Sequence, residues 1–505
     1  MIKTVICFFY RYGYWPYGIF KKLGVPGPKP VLFFGNMLHY KKGFHNFDME
    51  CFRKYGKMWG IFDGRQPVLC ITDTELIKTV FVKECYSLFT NRRNFGLNGP
   101  LYDAVFNAED EDWKRIRSVL SPSFTSGRLK EMFGIMKTYS SNLVSSMKKD
   151  ADLGKPSNTK EYFGAYSMDV VTSTAFSVDI DSLNNPKDPF VTNIKKMLKF
   201  DLLNPLLIIV CFFPFMTPIL ERMGFALFPL AVMDFFYASL QNIKSEREAV
   251  AHKKRVDLLQ LMIDSQPTKT EGSMKEEDIS KAYVSHPGLN DHEILSQSML
   301  FIFAGYETTS TTLNFLCYNL ATNPDTMKKL QDEIDEFFPD KPDIQYEPLM
   351  QMEYLDCVLN ETLRLYPPAA RLERVCKKTV DISGVLIPKG TVVMVPSFVL
   401  QRDPELWTDP DTFKPERFSK ENKESVDPYS FLPFGIGPRN CLGMRFALVS
   451  MKLVIVELLQ RFTLTTCAET EIPLELDTLG FMAPKRPIKL QLIPRSSAAQ
   501  PNPRG

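Results

Sequence analysis

The longest helical pattern of this chain covers residues 291–322 and ends at Asn323-Pro324. At 1.5 Å per residue, such a helix would be on the order of 45 Å long, about the width of a domain. Its first half is apolar almost all the way round, which predicts that the helix is buried. The 505-residue chain is 44% hydrophobic and 24% charged, so there is ample material for one large core around this helix.

The middle of the predicted helix carries an unusual segment, Ala304-Gly-Tyr-Glu-Thr-Thr309. Glycine and hydroxyl residues are poor choices for the middle of a buried helix. The hydroxyl of Thr308 can bond the carbonyl of Ala304 one turn earlier, which bends or opens a helix. We interpret this local weakness as a functional site. The alternative is a tolerated kink.

A second unusual segment is the glycine-rich stretch 434–443, in which Cys441 precedes an apolar helical run over residues 444–462. A dinucleotide fingerprint does not fit, because Asn440 stands where the last glycine would be and Leu432-Pro433 replaces a clear strand. One interpretation is a buried structural cysteine. The other is a thiolate, which the start of a helix favours.

The numbers and positions of cysteine and histidine limit which side chains could bind a metal ion. The ten cysteines include no C-x-x-C pair and are too sparse for a disulfide scaffold, which fits a reducing compartment. No histidine follows His292, so a metal in the C-terminal half must use cysteine, carboxylate or tyrosine. We therefore interpret Cys441 as a thiolate ligand to haem iron. The formal net charge of +2 gives no global indication of nucleic-acid binding.

The chain divides into three predicted parts. Residues 1–24 are short of the ~20 apolar residues of a spanning helix but rich in aromatic residues, which indicates the remnant of a membrane anchor or a loosely ordered terminus. The proline-rich connector 25–30 opens a single catalytic domain, residues 25–495, and residues 496–505 form a disordered tail. Residues 200–230 are apolar and interrupted by four prolines, which fits a lid, a membrane-dipping patch or ordinary core. The polar stretch 265–290 predicts a surface loop.

Two shorter helices carry paired side chains. A helix starting near Glu109 places Trp113 and Arg117 on one face. A mostly buried helix over residues 354–366 places Glu361 beside Arg364, and a buried ion pair needs further partners. Arg417 can supply one. Short strands are predicted at residues 67–72, 380–387 and 391–395.

These motifs resemble those of cytochromes P-450 and occur in the same order as in that family. They are Trp113-x-x-x-Arg117, Ala304-Gly-x-Glu-Thr-Thr309, Glu361-x-x-Arg364, Phe413-x-Pro-Glu-Arg-Phe418 and Phe434-x-x-Gly437-x-Arg439-x-Cys441-x-Gly443. The amino-acid sequences of residues 301–309 and 371–376 are similar to those of the vertebrate microsomal family 3, subfamily A. The resemblance covers roughly residues 25 to 490 and implies a mainly α fold with small β-sheets (α+β), in which haem lies between the long central helix and the cysteine loop.

The resemblance also implies roles for individual residues. Cys441 would ligate the iron of haem b, and Thr308 with Glu307 would hydrogen-bond the co-substrate O2 and help deliver protons. The cofactor-binding residues would be Arg92, Trp113, Arg117, Arg374, Arg439 and Phe434, with the arginines and Trp113 holding the haem propionates. Glu361, Arg364 and Arg417 would form a structural network behind the cysteine loop. Phe95, Leu300, Phe303, Ala304, Ala369, Ala370, Arg371 and Phe481 would line the substrate pocket, with residues 200–230 as its roof.

The implied activity is a monooxygenase that inserts one oxygen atom of O2 into steroids, drugs and other lipophilic substrates. Electrons would come from NADPH through a separate cytochrome P-450 reductase, with cytochrome b5 as a further candidate donor. Arg115, Lys130 and Arg445 are candidate docking residues for the donor. The implied location is the cytosolic face of the endoplasmic reticulum membrane. The alternatives are a haem-thiolate isomerase or dehydratase acting on peroxides, or a haem-binding carrier without turnover.

Overall fold

A computed structural model describes residues 10–198, 204–249, 257–266, 288–340, 343–478 and 481–495. The start of the predicted anchor remnant, most of the predicted 265–290 loop and the predicted tail lie outside the described residues. The described part of the chain is mainly helical, and its strands are short.

The helices are numbered here in chain order. They are α1 (Ile19–Lys22), α2 (Phe44–Tyr55), α3 (Thr74–Lys78), α4 (Asp110–Leu120), α5 (Ser126–Asp152), α6 (Thr159–Phe176), α7 (Pro189–Met197), α8 (Pro205–Phe212), α9 (Thr217–Arg222), α10 (Leu230–Ala249), α11 (Leu258–Asp264), α12 (Asp291–Thr322), α13 (Pro324–Phe337), α14 (Tyr346–Gln351), α15 (Glu353–Leu365), α16 (Ser397–Leu400), α17 (Lys420–Lys423) and α18 (Met444–Arg461).

Among the described residues, the strands form three small sheets. The strands are β1 (Met58–Asp63), β2 (Gln66–Ile71), β3 (Ser157–Asn158), β4 (Arg371–Val375), β5 (Val380–Ile382), β6 (Val385–Ile387), β7 (Val392–Pro396), β8 (Phe462–Thr466) and β9 (Lys489–Pro494). The largest sheet has the order β1-β2-β7-β4, with β2 and β7 parallel and the other neighbours antiparallel. The second has the order β3-β9-β8, and β5 pairs with β6.

The central helix α12 has the predicted bounds, Asp291–Thr322. Its start is fixed by a capping box, in which Asn290 and Glu293 each accept a bond from the other's backbone N–H. Its end is fixed by Pro324, which begins α13 and cannot continue the α12 hydrogen-bond pattern. Most of the helix is buried, as its apolar surface predicts.

Helix α6 crosses α12 at unusually short range. A Cβ atom added to Gly305 would lie 2.4 Å from Cγ2 of Val171, so only glycine permits this approach. On the other side of the crossing, a Cβ added to Gly164 would lie 3.1 Å from the hydroxyl of Tyr306. The glycine that weakens the central helix is therefore the point at which α6 packs against it.

Residues 200–203 of the apolar 200–230 region lie outside the described residues, and its described part contains two short helices, α8 and α9, as its prolines require. No helix among the described residues is both long and apolar enough to cross a membrane alone, whereas α8 together with Pro214–Arg222 passes that test as a pair bent by 113°. The N-terminal segment packs against α8: the ring of Tyr12 stacks on Phe213 with 6.0 Å between centroids, and Phe34 meets Phe212 at 4.8 Å.

Candidate active site

The cysteine turn, residues 434–443, lies directly before α18. The backbone N–H of Cys441 donates to the carbonyl of Phe434 over 2.8 Å and so closes the turn. Gly437 has φ +73°, and a Cβ added there would lie only 2.0 Å from the carbonyl oxygen of Phe81. Glycine at this position lets the turn pack against backbone at residues 79–83 and fixes the position of Cys441.

The Cys441 sulfur lies in a mixed environment. Its side chain has exposed surface, but the protein around it is dense enough that burial raises the pKa of the thiol. The N–H of Gly443 and the charges of Arg117 and Arg92 act in the opposite direction and favour the thiolate. Metal binding adds to these effects, because a coordinating thiol is deprotonated.

Two arginines hold the backbone of the cysteine turn. Arg117 donates from its two terminal nitrogens to the carbonyl of Asn440 over 2.6 Å and to the Asn440 side-chain oxygen over 2.7 Å. Arg92 donates to the carbonyl of Arg439 over 3.0 Å. The residues immediately before Cys441 are therefore fixed by side chains from two other parts of the chain.

Arg439 is buried between polar and aromatic partners. Its guanidinium lies 4.3 Å from the ring centroid of Trp113, and one terminal nitrogen donates to the carbonyl of Ala108 over 2.7 Å. Among the residues that the structure describes, two of its nitrogens, Nε and Nη1, have no hydrogen-bond partner, and Nε of Arg374 has none either. Buried donors without partners are rare in native proteins and call for a ligand.

Arg92, Arg117, Arg374 and Arg439 form what we call the arginine group. Within the described part of the chain, none of the four has a carboxylate at salt-bridge distance. Burial, followed by the charges of the other three, holds the pKa of Arg92 well below its ordinary value. Burial and the charge of Arg374 also lower the pKa of Arg439. Concentrated positive charge with free donors is suited to an anionic group.

The residues present therefore fit a haem group. A haem carries two propionate carboxylates, which the buried donors of Arg374 and Arg439 would suit, and the sulfur of Cys441, two residues after Arg439, is of the type that can ligate haem iron. In the described residues, no cluster of three or more His, Cys, Asp and Glu side chains could hold a metal ion directly.

On the central helix, the Thr308 hydroxyl donates to the carbonyl of Ala304 over 2.7 Å, the bond that the sequence predicts. Ala304 is exposed there. Glu307 points elsewhere, and its carboxylate accepts a bond from Nζ of Lys160 over 2.9 Å. Sequence reasoning did not find Lys160, since it precedes Glu307 by 147 positions and lies in no recognisable motif.

The structure brings Glu361, Arg364 and Arg417 together; the side chains of Glu361 and Arg364 are fully buried, and 11% of the Arg417 side chain is exposed. Arg364 donates to both carboxylate oxygens of Glu361 over 2.7 and 2.8 Å, and Arg417 donates to one of them over 3.2 Å. Arg364 also donates to the carbonyl of Gln401 over 2.7 Å. The Gln401 side chain accepts from the N–H of Leu432 over 2.9 Å. The network is thereby connected to the chain that enters the cysteine turn.

The residues predicted to line the substrate pocket have different surroundings. Phe303 on the central helix lies between Phe228 and Phe481, with ring centroids 6.3 and 5.8 Å away. Leu300 and Ala370 are half-buried against the main core, and Ala370 also lines a small cavity with Phe481. Ala369 is exposed. Phe95 packs with residues of α8 and α9, which links it to the predicted roof.

The guanidinium group of Arg371 is engaged in an ion pair. It donates to the two carboxylate oxygens of Asp48 over 2.8 and 2.7 Å, and it lies against the rings of Tyr40 and Phe44. Only 12% of its side chain is exposed. The structure thus places Arg371 in a buried ion pair between β4 and α2.

Comparison with known proteins gives long matches. The family model described as Cytochrome P450 matches residues 25–492. Cytochrome P450 3A40 of Oryzias latipes is 68% identical over 488 residues, which cover 97% of this chain and 95% of the relative. Cytochrome P450 3A30 of Fundulus heteroclitus is 67% identical over 485 residues, covering 96% and 95%. Cytochrome P450 3A29 of Sus scrofa is 56% identical over 495 residues, covering 98% and 96%. The residues matched by the family model include the cysteine turn, the arginine group and the central helix.

Proposed function

Since this chain belongs to the cytochrome P450 family, in its 3A group, we propose that it inserts one oxygen atom of O2 into lipophilic substrates, using NADPH-derived electrons. The observation that carries this proposal is the pairing of two features. Cys441 lies beside an arginine group with free buried donors, and the helix with the exposed Ala304 carries Thr308 and Glu307.

Cys441 and the arginine group have separate tasks in this proposal. Cys441 would bind the iron, and Arg374 and Arg439 would direct their free donors to the propionates. Arg92 and Arg117 keep the cysteine turn in place through backbone carbonyls. Haem with a thiolate ligand supplies electron density that favours cleavage of the O–O bond.

Thr308 and Glu307 are proposed to handle protons. The Thr308 hydroxyl donates its own hydrogen to the carbonyl of Ala304, so its lone pairs are free to accept a hydrogen bond from another group. Glu307, one residue away, would take up a proton from solvent and release it on this side of the central helix. This intact pair favours a monooxygenase over an isomerase of peroxides, which needs no proton delivery to O2.

The proposed substrates are apolar and of the steroid and xenobiotic classes. The aromatic series Phe228, Phe303 and Phe481 offers ring faces and no charge. The one charged side chain proposed for the lining, Arg371, is already paired with Asp48. A mostly apolar site with few polar groups binds lipophilic molecules and orients them loosely.

The proposed electron donor is a separate NADPH-cytochrome P-450 reductase, with cytochrome b5 as a further donor. Arg445, four residues after Cys441, is exposed, which suits a docking role for an acidic partner. Arg115 and Lys130, the other candidates, are paired with Glu293 and Glu347. They would contribute less to docking because their charges are partly neutralised within the chain.

Association with the cytosolic face of the endoplasmic reticulum membrane is part of the proposal. Exposed apolar side chains occur on the N-terminal segment, including Trp15 at 78%, and around α9, including Phe215 at 61% and Met223 at 66%. The Tyr12–Phe213 stack joins these two regions. An aromatic-rich exposed surface is typical of proteins that bind the membrane interface.

The test is turnover of the haem-loaded full chain with added reductase, NADPH and a panel of steroids and drug-like molecules. We expect hydroxylated products that incorporate one atom of labelled O2. In Thr308→Ala, most of the electrons from consumed NADPH should form peroxide instead of hydroxylated product. Thr312→Ala is the matched control, because Thr312 makes the same helical bond to the carbonyl of Thr308 over 2.8 Å. Fully coupled turnover in Thr308→Ala would contradict the role given to Thr308.

A further inference from the structure

Residues 99–108, which precede helix α4, contact both the central helix and the arginine group, and we call them the bridging loop. Four side chains of this loop are buried in the main core: Leu101, Ala104, Val105 and Ala108. Its main chain is hydrogen-bonded to α12 at one point and to arginines at two others. The bridging loop therefore connects the position of the central helix to that of the arginine group.

Gln297 makes the contact between α12 and the bridging loop, and its side chain is fully buried. Its Nε2 donates to the carbonyl of Asp103 over 2.7 Å, and its Oε1 accepts from the N–H of Val105 over 2.7 Å. A backbone carbonyl can only accept and a backbone N–H can only donate, so this position needs a donor and an acceptor on one side chain. A carboxylate or an apolar side chain would leave at least one buried backbone group without its bond.

Two other side chains of α12 also bond to the bridging loop. The Ser296 hydroxyl donates to the carbonyl of Pro100, and Nδ1 of His292 lies 2.7 Å from the Asp103 carboxylate. The side chains of His292 and Asp103 are 43% and 34% exposed, so water competes for that bond. Gln297 differs from both because it bonds two backbone groups of the loop and is shielded from water.

A short turn joins the part of the loop that Gln297 binds to the part that meets the arginines. The N–H groups of Asn107 and Ala108 both donate to the carbonyl of Ala104, over 2.8 and 2.9 Å. Ala104 is the residue between the two whose backbone Gln297 bonds. A displacement at Gln297 would therefore move Ala104 and, through this turn, the carbonyl of Ala108.

Arginines bond to the far end of the bridging loop. Nη2 of Arg439 donates to the carbonyl of Ala108 over 2.7 Å and to the side chain of Asn91 over 3.2 Å. Nη1 of Arg92 donates to the carbonyl of Phe106 over 3.3 Å. Because Nη2 of Arg439 is engaged in this way, the two nitrogens without a partner among the described residues are Nε and Nη1. The position of the Ala108 carbonyl thus helps to determine where those two donors point.

We propose that Gln297 is a positioning residue for the haem propionates. It holds the bridging loop on the central helix, and the loop carbonyls at Phe106 and Ala108 then orient Arg92 and Arg439. This inference rests on the proposed function, in which Arg439 directs its free donors to a propionate. Gln297 does not touch the haem in this account and acts through the arginines.

The experiment compares the haem-loaded full-length wild type with Gln297→Met, Arg439→Leu and the Gln297→Met/Arg439→Leu double variant. Gln331→Met is the matched control. Gln331 is also buried, and its Nε2 donates to the carbonyl of Phe462 over 3.2 Å and to the Thr463 hydroxyl over 3.0 Å, so its bonds do not reach the bridging loop. The measurements are the rate of haem transfer to excess apomyoglobin, the propionate bands in the resonance Raman spectrum and the free energy of unfolding.

We expect Gln297→Met to lose haem about three- to tenfold faster than the wild type, roughly the effect of one hydrogen bond. Its propionate bands should shift, because the free donors of Arg439 would point in a different direction. Gln331→Met should be destabilised to a similar extent but should keep the wild-type rate of haem loss and unshifted bands. In the Arg439→Leu background, Gln297→Met should cause a smaller additional change, since its effect passes through Arg439.

Three results would overturn the inference. They are wild-type haem loss and propionate bands in Gln297→Met, an equal change in Gln331→Met, or the same change in Gln297→Met with and without Arg439. If the haem-loss and Raman results are as expected but the wild-type protein forms no hydroxylated product with reductase and NADPH, the proposed monooxygenase function fails and the positioning role of Gln297 stands.

Discussion

Arg117 bonds both polar oxygens of Asn440 at once, with 2.6 Å to the carbonyl and 2.7 Å to the side chain. Asn440 is the residue before Cys441, so Arg117 of helix α4 holds the cysteine turn in place directly next to the cysteine. Only the planar guanidinium can make two parallel bonds of this kind.

Arg117→Leu should therefore weaken haem retention. Losing hydrogen bonds to a charged group costs about 1.5–3 kcal/mol, which corresponds to a haem dissociation rate roughly ten- to a hundredfold higher. Arg117→Lys keeps the positive charge but cannot make both hydrogen bonds to Asn440. Its haem dissociation rate should lie between those of the wild type and Arg117→Leu. Transfer of haem to an excess of apomyoglobin measures the rate. The control is Arg128→Leu, which removes a partly exposed arginine paired with Glu131, and equal rates in the two leucine variants would reject the prediction.

The buried carboxylate of Glu361 accepts bonds from Arg364, from Arg417 and from the N–H of Lys414 over 2.8 Å. Glu361→Gln leaves the fully buried Arg364 without its counter-charge. Removing one partner of a buried pair typically costs about 3–5 kcal/mol, and the free energy of unfolding in denaturant should fall by that order.

Asp409→Asn provides the comparison for Glu361→Gln. Asp409 pairs with Lys414 on the surface, where its side chain is 60% exposed. Exposed pairs contribute about 0–1 kcal/mol, so this variant should unfold almost as the wild type does. Similar losses in both variants would show that burial of the Glu361 network does not determine its contribution.

The buried Asp169 predicts how the free energy of unfolding depends on pH. It is buried in α6, accepts the Ser182 N–H at 2.9 and 3.1 Å, and burial raises its pKa to about 6. The folded state therefore binds the Asp169 proton more tightly than the unfolded state does. Its contribution to stability is present below about pH 4 and is lost as pH rises to about 6.

Asp169→Asn should remove this dependence while keeping one oxygen acceptor for Ser182. A pKa difference of about two units corresponds to about 3 kcal/mol. The unfolding free energy of the wild type relative to the variant should fall by that order between pH 4 and pH 7. A constant difference across that range would contradict the assignment of a raised pKa to Asp169.

Local patterns in the sequence were sufficient for the elements with clear ends. The central helix has its predicted bounds because Asn290 and Pro324 act on adjacent backbone. The helix predicted over residues 354–366 is observed as Glu353–Leu365, again ended before a proline pair. The bond from Thr308 to Ala304 was also predictable, since it spans one helical turn.

Contacts between distant parts of the chain were not predictable in this way. Lys160 meets Glu307 across 147 positions, and nothing near Lys160 in the sequence indicates that its partner is on another helix. Arg371 pairs with Asp48 across 323 positions, so its placement in a buried ion pair depends on how α2 packs on β4. The bonds from Arg92 and Arg117 to the cysteine turn likewise required the assembled fold.

The central claim is that Cys441 is the thiolate ligand of haem iron. The most direct measurement is the absorption spectrum of the reduced, haem-loaded protein with carbon monoxide. We predict the red-shifted Soret band of thiolate ligation in the wild type and in Cys467→Ser, a half-buried cysteine outside the site. Cys441→Ser should lose that band. A wild-type spectrum without the red shift, or an unchanged band in Cys441→Ser, would contradict the claim.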